Sequence, residues 1–187
     1  MIGGKIQNYR NILRRYIRDY GENENINRAV QVLEHAKREA LATQDKTTLI
    51  GYEGMASNAY FEVLPVLILN QKADFPFHGR NRRPPKDAVN AMLSFAYTLI
   101  ANDTSAALET VGLDPYVGFL HTLRPGRTSL ALDMMEELRA YLGDRFVLSL
   151  INKRQITSKD FLFQGDNGVV MTDKGKKTFI SAWQARK

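Results

Sequence analysis

The chain has 187 residues, 44% of them hydrophobic and 25% charged, a composition typical of folded globular proteins rather than disordered ones. It has no cysteine, which excludes disulfides, thiolate metal sites and cysteine nucleophiles and leads us to expect a reducing, cytoplasmic location. It also has no long apolar run and no visible signal peptide, so we expect no membrane segment. The net charge of +6 favours an anionic partner, most commonly nucleic acid.

Two amphipathic helices are predicted at the start of the chain. The first has an apolar stripe at helical spacing and ends at Gly21, with its basic residues, including Lys5, mostly on other faces. Its arginines are interpreted either as phosphate contacts or as residues that only increase solubility. The second helix is predicted to follow an Asn25 cap and to reach Thr43.

A third helix is predicted over 48–69, with Pro65 kinking or ending it. Within it, Glu53 lies between Gly51 and Gly54. Glycine in a helix interior lowers helix stability by about 1 kcal/mol relative to alanine. The presence of two glycines beside Glu53 therefore needs an explanation. We infer that the two glycines leave space for another helix or a nucleic-acid backbone to approach the Glu53 carboxylate. The alternative is that they only allow tight helix packing.

Residues 72–86 combine three prolines with several cations and are predicted to form an irregular basic loop. The loop is interpreted either as a phosphate clamp or as a solvated charged loop. Its phenylalanines, Phe75 and Phe77, are candidates for stacking on an unpaired base. The candidate phosphate-binding residues of the loop are Arg80, Arg82, Arg83 and Lys86.

Three further helices are predicted before the acidic segment of the chain. The first begins at Pro85, which suits the first helical position, and ends near Asn102. A short helix over 105–111 follows, and a third begins at Pro115 and contains His121.

An Arg-Pro-Gly-Arg turn comes next and places Arg124 and Arg127 at the entrance to the acidic helix. Arginine beside carboxylates serves either as a salt-bridge partner or as an anchor for the phosphate of a bound substrate. Both residues are therefore candidate DNA contacts.

A helix over 129–142 is predicted from an apolar face with intervals of four, four and three residues, which we expect to be buried. The members of this face are Leu130, Met134, Leu138 and Tyr141. Thr128 or Ser129 is expected to cap the first turn with its side-chain oxygen.

Acidic residues occupy a second face of the same helix, namely Asp133, Glu136 and Glu137. Charged carboxylates this close repel one another unless a cation lies between them, and His121 can approach the same cation. One imidazole with oxygen ligands suits Mn²⁺ or Mg²⁺ better than zinc. The alternative interpretation is a solvated acidic face with a hydrogen-bonded core histidine.

The C-terminal part is predicted to contain a helix over 144–153, a β-hairpin over 161–171 that turns at Asn167-Gly168, and a last helix capped by Thr172. The predicted fold class is therefore mainly α, a multi-helix catalytic domain with one small β-hairpin near the C-terminus. Residues 1–187 are predicted to form a single domain.

Three ordered motifs resemble one known family. They are Gly-Tyr-Glu-Gly-Met-Ala around Glu53, Gly-Phe-Leu-His ending at His121, and the Asp-x-x-Glu helix with Asp133 and Glu136. Together they resemble the C-terminal helical domain of Cas1, the CRISPR-associated endonuclease and spacer-acquisition integrase. Shorter segments around residues 82–91, 112–115 and 151–156 are similar to the form that accompanies type I-C systems.

The resemblance implies a site for one divalent metal, Mg²⁺ or Mn²⁺, bound by a Glu, a His and an acid of the Asp-x-x-(Asp/Glu) helix. Carried over by motif, the catalytic and metal-binding residues are Glu53, His121 and Glu136, with Asp133 as an accessory acid. The sequence departs from the family pattern in two places. Glu136 replaces the more usual Asp and lengthens the ligand arm, and Ala140 stands where many members have proline.

The implied function is a metal-dependent endodeoxyribonuclease and integrase that inserts spacer DNA into a CRISPR array by phosphoryl transfer. The implied partners are DNA and Cas2, with a homodimer in the full-length protein. The family's N-terminal β-rich domain has no counterpart in this sequence, so we expect a fragment. The alternative function is a non-catalytic nucleic-acid-binding or subunit-scaffold helical domain.

Overall fold

The computed structural model describes residues 1–122 and 124–186, and Leu123 and Lys187 lie outside that description. The fold is mainly α, as predicted. The described residues form α1 (Ile2–Tyr20), α2 (Glu24–Ala42), α3 (Lys46–Val63), α4 (Ala88–Thr110), α5 (Ser129–Leu138), α6 (Arg145–Asn152), α7 (Asp173–Gln184) and the strands β1 (Phe161–Phe163) and β2 (Val169–Met171). Within this part of the chain no helix has the length and apolar character needed to cross a membrane.

The described chain divides into two compact units. One contains residues 1–60 and 97–143, and the other contains residues 61–96 and 144–186. Two compact units can belong to one domain or to two. The single domain over 1–187 therefore stays a prediction.

The first unit is built on α1, which packs against α2 and α5. Ile6, Tyr9 and Leu13 recur at helical spacing and are fully buried, and the Tyr9 ring stacks on Tyr60 with 4.0 Å between ring centroids. Gly21 ends α1 as predicted, with a φ of 93° that glycine adopts without strain.

The predicted cap of α2 is wrong. Asn23, rather than Asn25, has extended backbone geometry, and its side-chain oxygen accepts a hydrogen bond from the Ile26 N–H at 3.1 Å. Asn25 falls inside the first turn. The helix ends at Ala42, with Thr43 following it, as predicted.

The third helix begins earlier than predicted, at Lys46, because the Asp45 carboxylate accepts the Thr48 N–H at 2.7 Å and so satisfies a donor of the first turn. It gives way to a 3-10 turn, Leu64–Leu67, that contains Pro65. Proline lacks an N–H and clashes with the preceding turn. The predicted end of regular α-helix at this proline is confirmed.

A single helix, α4, replaces the two that were predicted between residues 85 and 111. The polar segment 102–105 was interpreted as a break, but it contains neither glycine nor proline and the helix continues through it. The helix begins at Ala88 rather than at Pro85. Its first turn is capped by Asp87, whose carboxylate accepts the Asn90 N–H at 2.7 Å.

The helix predicted from Pro115 is also wrong, because the described residues between α4 and α5 form turns and bends. The Pro115 carbonyl accepts the N–H groups of Leu130 and Ala131 at 2.9 and 3.3 Å. These donors belong to the first turn of α5. A backbone carbonyl therefore satisfies this turn, and the predicted side-chain cap from Thr128 or Ser129 is not formed.

The predicted buried face of α5 is inverted. Three members of the apolar face are exposed: Met134 at 44%, Leu138 at 38% and Tyr141 at 53%. Asp133 and Glu136 face inward instead, at 0% and 6% exposure. The α-helix also ends before residue 142 and continues as a π-helical turn, Arg139–Asp144.

The second unit has an aromatic core. Phe146 lies 5.0 Å from Phe179 and 5.1 Å from Trp183, measured between ring centroids, and Phe95 lies 5.2 Å from Phe179. Phe146 is buried on the inward face of α6, as predicted. The Thr172 side chain accepts a hydrogen bond at the start of α7, which confirms the predicted cap.

The predicted hairpin is present, with β1 and β2 antiparallel and Phe161 opposite Met171. Its turn differs from the prediction in one respect. Positive φ angles occur at Gly165 (57°) and Gly168 (80°) rather than at Asn167 and Gly168. Both positions are glycine, which adopts this conformation without a steric penalty.

Candidate functional site

A lysine lies at the centre of the candidate site. Lys5 shares the buried face of α1 with Ile2, Ile6 and Tyr9, and its side chain is only 3% exposed. The prediction that Lys5 lies on an outer face is therefore wrong. A buried ammonium group is costly unless anionic partners surround it.

Those partners come from two other helices. The Lys5 Nζ donates to Oε1 of Glu53 on α3 and lies 2.7 Å from Oε2 of Glu136 on α5. Glu136 is nearly buried, with 8% of its side chain exposed, and Glu53 is about one-quarter exposed at 26%. Two predicted metal ligands, far apart in sequence, thus meet at one positive charge.

Additional polar groups hold this pair of carboxylates. The Arg139 Nη1 lies 3.0 Å from Oε1 of Glu136, and its guanidinium group lies 4.7 Å from the Tyr97 ring centroid. The Ser57 hydroxyl donates to Oε1 of Glu53 at 2.9 Å. These contacts explain why an acidic face of α5 can be buried, because each carboxylate has its own counter-charge.

The ionisation of the cluster follows from these contacts. Burial alone would lower the pKa of Lys5, but interaction with Tyr9, Glu136 and Glu53 outweighs it and raises the pKa above the ordinary lysine value. Burial would raise the pKa of Glu53, whereas the Lys5 charge, with hydrogen bonds from Lys5 and Ser57, lowers it overall. At neutral pH the lysine is therefore charged and Glu53 is ionised.

A second cluster is formed by Asp133 and the loop before α5. One carboxylate oxygen of Asp133 accepts the N–H groups of Phe119 and Leu120 at 2.6 and 2.8 Å. The other lies 3.0 Å from the His121 N and 2.6 Å from its Nδ1. Burial would raise the pKa of Asp133, but these hydrogen bonds, led by that of Leu120, lower it.

Asp133 therefore positions His121. The two Asp133 oxygens make all four of these contacts with the loop. The charged carboxylate favours the His121 tautomer in which Nδ1 carries the proton. The Nε2 atom is then the ring nitrogen with a lone pair for a ligand, as in many metal-binding histidines that donate to a carboxylate.

The loop depends on Gly118. A Cβ atom at this position would lie 2.6 Å from the Ser129 carbonyl carbon and 2.8 Å from its carbonyl oxygen. The close approach of the loop to the start of α5 brings His121 within reach of Asp133, and it requires glycine.

The three predicted ligands and the accessory acid thus form two pairs, Glu53 with Glu136 on Lys5, and His121 with Asp133. Among residues 1–122 and 124–186, no three His, Asp or Glu side chains are grouped so that they could hold one metal ion. The chemistry of the carboxylate pair does suit a cation. Oε2 of Glu136 is buried, and the positive charge of Lys5 already lies 2.7 Å from it.

Glu137 is separate from the buried acids. Its side chain is 50% exposed. It is therefore the member of the acidic face that fits the alternative of a solvated surface residue.

The two glycines beside Glu53 face open space. A Cβ atom at Gly51 or Gly54 would have no atom within 4 Å in the described structure. Tight helix packing within this part of the chain therefore does not explain them. Space for a ligand to approach Glu53 remains as the reason predicted from the sequence.

We expect the double variant Gly51→Ala, Gly54→Ala to be more stable than the wild type by roughly 1–2 kcal/mol, because alanine is the better helix former and meets no obstruction. Urea unfolding measures this gain. If the space admits DNA, the same variant should bind or cleave DNA less well. Unchanged or reduced stability would show that the glycines are needed by the fold.

The predicted phosphate contacts near the acidic helix are accessible. Arg124 is exposed and Arg127 is half-buried. Neither guanidinium group has an ion-pair partner in the described part of the chain, so the salt-bridge alternative for these residues is not supported.

The basic loop belongs to the second unit and divides into two kinds of residue. Arg80 hydrogen-bonds to Asn90 at 2.7 Å and to Ser94 at 3.1 Å, so it supports the loop itself. Phe75 and Phe77 are 1% and 5% exposed, and the suggestion that they stack on an unpaired base is therefore wrong. Three of the predicted phosphate contacts in the loop are exposed, namely Arg82, Arg83 and Lys86.

Sequence reasoning missed Lys5, Arg139 and Ser57. A signal existed for Lys5, which lies three residues after Ile2 and four before Tyr9, inside the apolar stripe of α1. A lone charge at such a position predicts a buried ion pair. No comparable signal marks Ser57 or Arg139.

Comparisons with known proteins identify the family to which the chain is similar. The family model described as CRISPR associated protein Cas1 matches residues 1–185. The chain is 48% identical over 194 residues to CRISPR-associated endonuclease Cas1 2 of Rhodospirillum rubrum, covering 100% of this chain and 56% of that protein. The chain spans about half the length of two curated relatives that it matches, the R. rubrum protein and one from Chlorobaculum tepidum.

Solved structures share the fold. A casposase bound to integration product superposes with a TM-score of 0.79 at 26% identity, covering 98% of this chain and 50% of the other. The chain from a Cas6-RT-Cas1–Cas2 complex gives a TM-score of 0.85 at 25% identity, covering 99% and 20%. The similarity to type I-C systems stays a prediction. The family predicted from the motifs is confirmed, and the chain belongs to the Cas1 family of CRISPR-associated proteins.

Proposed function

We propose that the chain holds the catalytic residues of a metal-dependent DNA endonuclease and integrase that inserts spacer DNA into a CRISPR array during prokaryotic antiviral adaptation. The observation that carries this proposal is the convergence of Glu53 and Glu136, from separate helices, on one buried positive charge. It is supported by the endonuclease named among the relatives and by the similarity to a casposase bound to integration product.

The residues that would hold Mg²⁺ or Mn²⁺ are Glu53, His121 and Glu136, because carboxylates with one imidazole are suitable donors for these ions. When bound, the metal would stabilise negative charge on the attacked phosphate and assist the nucleophile or the leaving oxygen. Asp133 would keep the His121 ring oriented and protonated at Nδ1.

The proposed reaction is transesterification. The 3′-hydroxyl oxygen of the captured DNA forms a bond to the phosphorus of a phosphodiester in the CRISPR repeat and gives up its proton. The bond from that phosphorus to the 3′-oxygen of the cut strand breaks, and the released oxygen takes up a proton. With water as the nucleophile, the same site cleaves DNA.

Several cations would bind the DNA phosphates. Arg124 and Arg127 precede the acidic helix, and their guanidinium groups can each bind a phosphate in a bidentate manner. The exposed cations of the basic loop would add to this binding without sequence preference. Arg80 would hold the loop in shape rather than contact phosphate.

The proposed partners are spacer-precursor DNA, the CRISPR repeat and Cas2, with a homodimer in the full-length protein. One similar chain comes from a complex named for Cas1 and Cas2 together. These partners are proposals for a longer protein, since this chain covers 56% of its relative in R. rubrum.

The proposal is tested with the intact protein, an end-labelled DNA carrying a free 3′-hydroxyl and a duplex target that contains the repeat. We expect cleavage and strand-transfer products with Mn²⁺ or Mg²⁺ and none after chelation with EDTA. Products that persist in EDTA would contradict a metal-dependent reaction.

The alternative function, a non-catalytic nucleic-acid-binding or subunit-scaffold domain, has one observation in its favour, since Lys5 and Arg139 already neutralise the carboxylate pair. A metal site should increase thermal stability, by about 2.7 kcal/mol when Mn²⁺ is at one hundred times its dissociation constant. A scaffold should show neither this stabilisation nor DNA products.

A further inference from the structure

We propose that Lys5 is a resident counter-cation that competes with the divalent metal for the carboxylates of Glu53 and Glu136. In the metal-free protein its ammonium group bridges the two side chains, and on metal binding it gives up these contacts. This inference rests on the proposed function, because it concerns the same metal site.

The position of the ammonium group is the first argument. It contacts Oε1 of Glu53 and lies 2.7 Å from Oε2 of Glu136, and it joins one acid from α3 to one acid from α5. A metal bound by these two acids would need oxygen lone pairs at the same place. The ammonium and the metal cannot both occupy it, because each requires direct contact with the same oxygens.

The charges of the site are the second argument. A buried ammonium beside a divalent cation would be repelled strongly in an environment of low dielectric constant. Without any cation, the two neighbouring carboxylates would repel each other. Lys5 therefore holds both acids close together until the metal arrives, but the same stabilisation weakens metal binding by linkage.

The residues around Lys5 allow the metal to replace its ammonium group. Arg139 contacts the other oxygen of Glu136, Oε1, at 3.0 Å, so this acid stays anchored when its Oε2 changes partner. The lysine side chain is a flexible four-carbon stem. Its Nζ lies 5.7 Å from the centroid of the Tyr9 ring, near enough for the ring face to receive the displaced cation.

The inference predicts an unusual pair of effects for Lys5→Met, which keeps the length of the stem and removes its charge. With EDTA present, the melting temperature of the intact variant should fall below that of the wild type. The Mn²⁺ dissociation constant, measured by isothermal titration calorimetry, should fall by about tenfold or more. The melting temperatures of the two proteins should then converge at saturating Mn²⁺.

Lys37→Met is the matched control. Lys37 lies on α2 and donates to Gln7 of α1 at 2.7 Å, and it is not part of the carboxylate pair. Its replacement should lower the melting temperature without changing the Mn²⁺ dissociation constant.

The other outcomes are distinct. Equal or weaker Mn²⁺ binding by Lys5→Met, with normal binding by the wild type, would overturn the role of Lys5 and leave the metal site intact. Absence of Mn²⁺ binding in both proteins would overturn the proposed metal-dependent function and the Lys5 inference with it.

A second variant covers the case in which Lys5→Met does not fold. Lys5→Arg keeps a positive charge between the acids, and its planar guanidinium group binds carboxylates in a bidentate manner that is harder to displace. We expect Mn²⁺ binding to be weakened by at least about fivefold. Binding as tight as that of the wild type would overturn the competition between the side chain and the metal.

Discussion

Glu136→Gln should reduce metal-dependent DNA cleavage by more than about 100-fold, which exceeds the usual effect of losing a group that only supports a metal ligand. The substitution keeps the volume of the side chain and removes its charge. Because Glu136 is buried against Lys5 and Arg139, the variant should also lose roughly 1–3 kcal/mol of stability. Lys5 retains Glu53 as a partner, so we expect the variant to fold.

Glu137→Gln is the matched control for this experiment. The two acids are neighbours on α5, but the Glu137 side chain is 50% exposed. Exposed charges of this kind contribute little, so activity and stability should stay close to those of the wild type. Retained cleavage by Glu136→Gln with loss in Glu137→Gln would move the ligand role to Glu137.

The measurements are initial rates of Mn²⁺-dependent cleavage and urea unfolding of the same protein preparations. Stability separates two explanations for a loss of activity. A variant that remains folded under assay conditions and does not cleave supports a role for Glu136 in the reaction. A variant that is mostly unfolded gives no support for this role. The rates must then be compared in conditions where both proteins are folded.

The elements that could be predicted from sequence are those with a local physical cause. Gly21 ends α1 because glycine adopts a positive φ, Pro65 ends regular α-helix because it lacks an N–H, and Thr172 caps α7 with its side chain. Each signal lies within a few residues of its effect. The family motifs, in addition, identified the fold of the chain as a whole.

The failed predictions that concern the candidate site depend on partners that are distant in sequence. The acidic face of α5 is buried because Lys5 of α1 and the N–H groups of the loop before α5 neutralise it, and no local pattern on α5 reveals either group. For the same reason, the apolar residues Met134 and Tyr141 were predicted to be buried and are exposed. Helical periodicity identifies two faces, but it does not determine which one meets the core when the polar face has buried partners.

The candidate site was predictable only in part. The motifs indicated Glu53, His121 and Glu136, and the structure brings the two glutamates together on Lys5. The ligand set itself stays a prediction, because His121 pairs with Asp133 in the structure rather than with the glutamates. The missed residue, Lys5, shows that a lone charge within an apolar stripe should be considered together with acids elsewhere in the chain.

Asp133→Asn should lower the stability of the protein at neutral pH by roughly 2–3 kcal/mol and reduce cleavage by about 10–100-fold. The carboxylate accepts three backbone N–H groups and pairs with the His121 ring. An asparagine amide presents N–H donors on one side, where it faces other donors. The loop would then lose part of its anchor, and His121 would lose the acceptor that sets its tautomer.

Asp114→Asn is the control, since among the described residues its carboxylate accepts one N–H, that of Tyr116 at 2.9 Å, at an exposed position of the same segment. We expect a much smaller loss of stability than in Asp133→Asn and no change in cleavage. Equal losses in both variants would show that the buried contacts of Asp133 have no special importance.

The stability lost in Asp133→Asn should depend on pH in a direction that follows from the lowered pKa of Asp133. A carboxyl whose pKa is lower in the folded than in the unfolded state contributes its full stability above the unfolded value, about 3.9 for aspartate. That contribution decreases as the pH falls through the folded pKa, where protonated Asp133 resembles asparagine. The difference in unfolding free energy between wild type and variant should therefore be constant near neutral pH and should shrink below about pH 4. A difference that stays constant to lower pH would mean that the charge of Asp133 does not hold the loop.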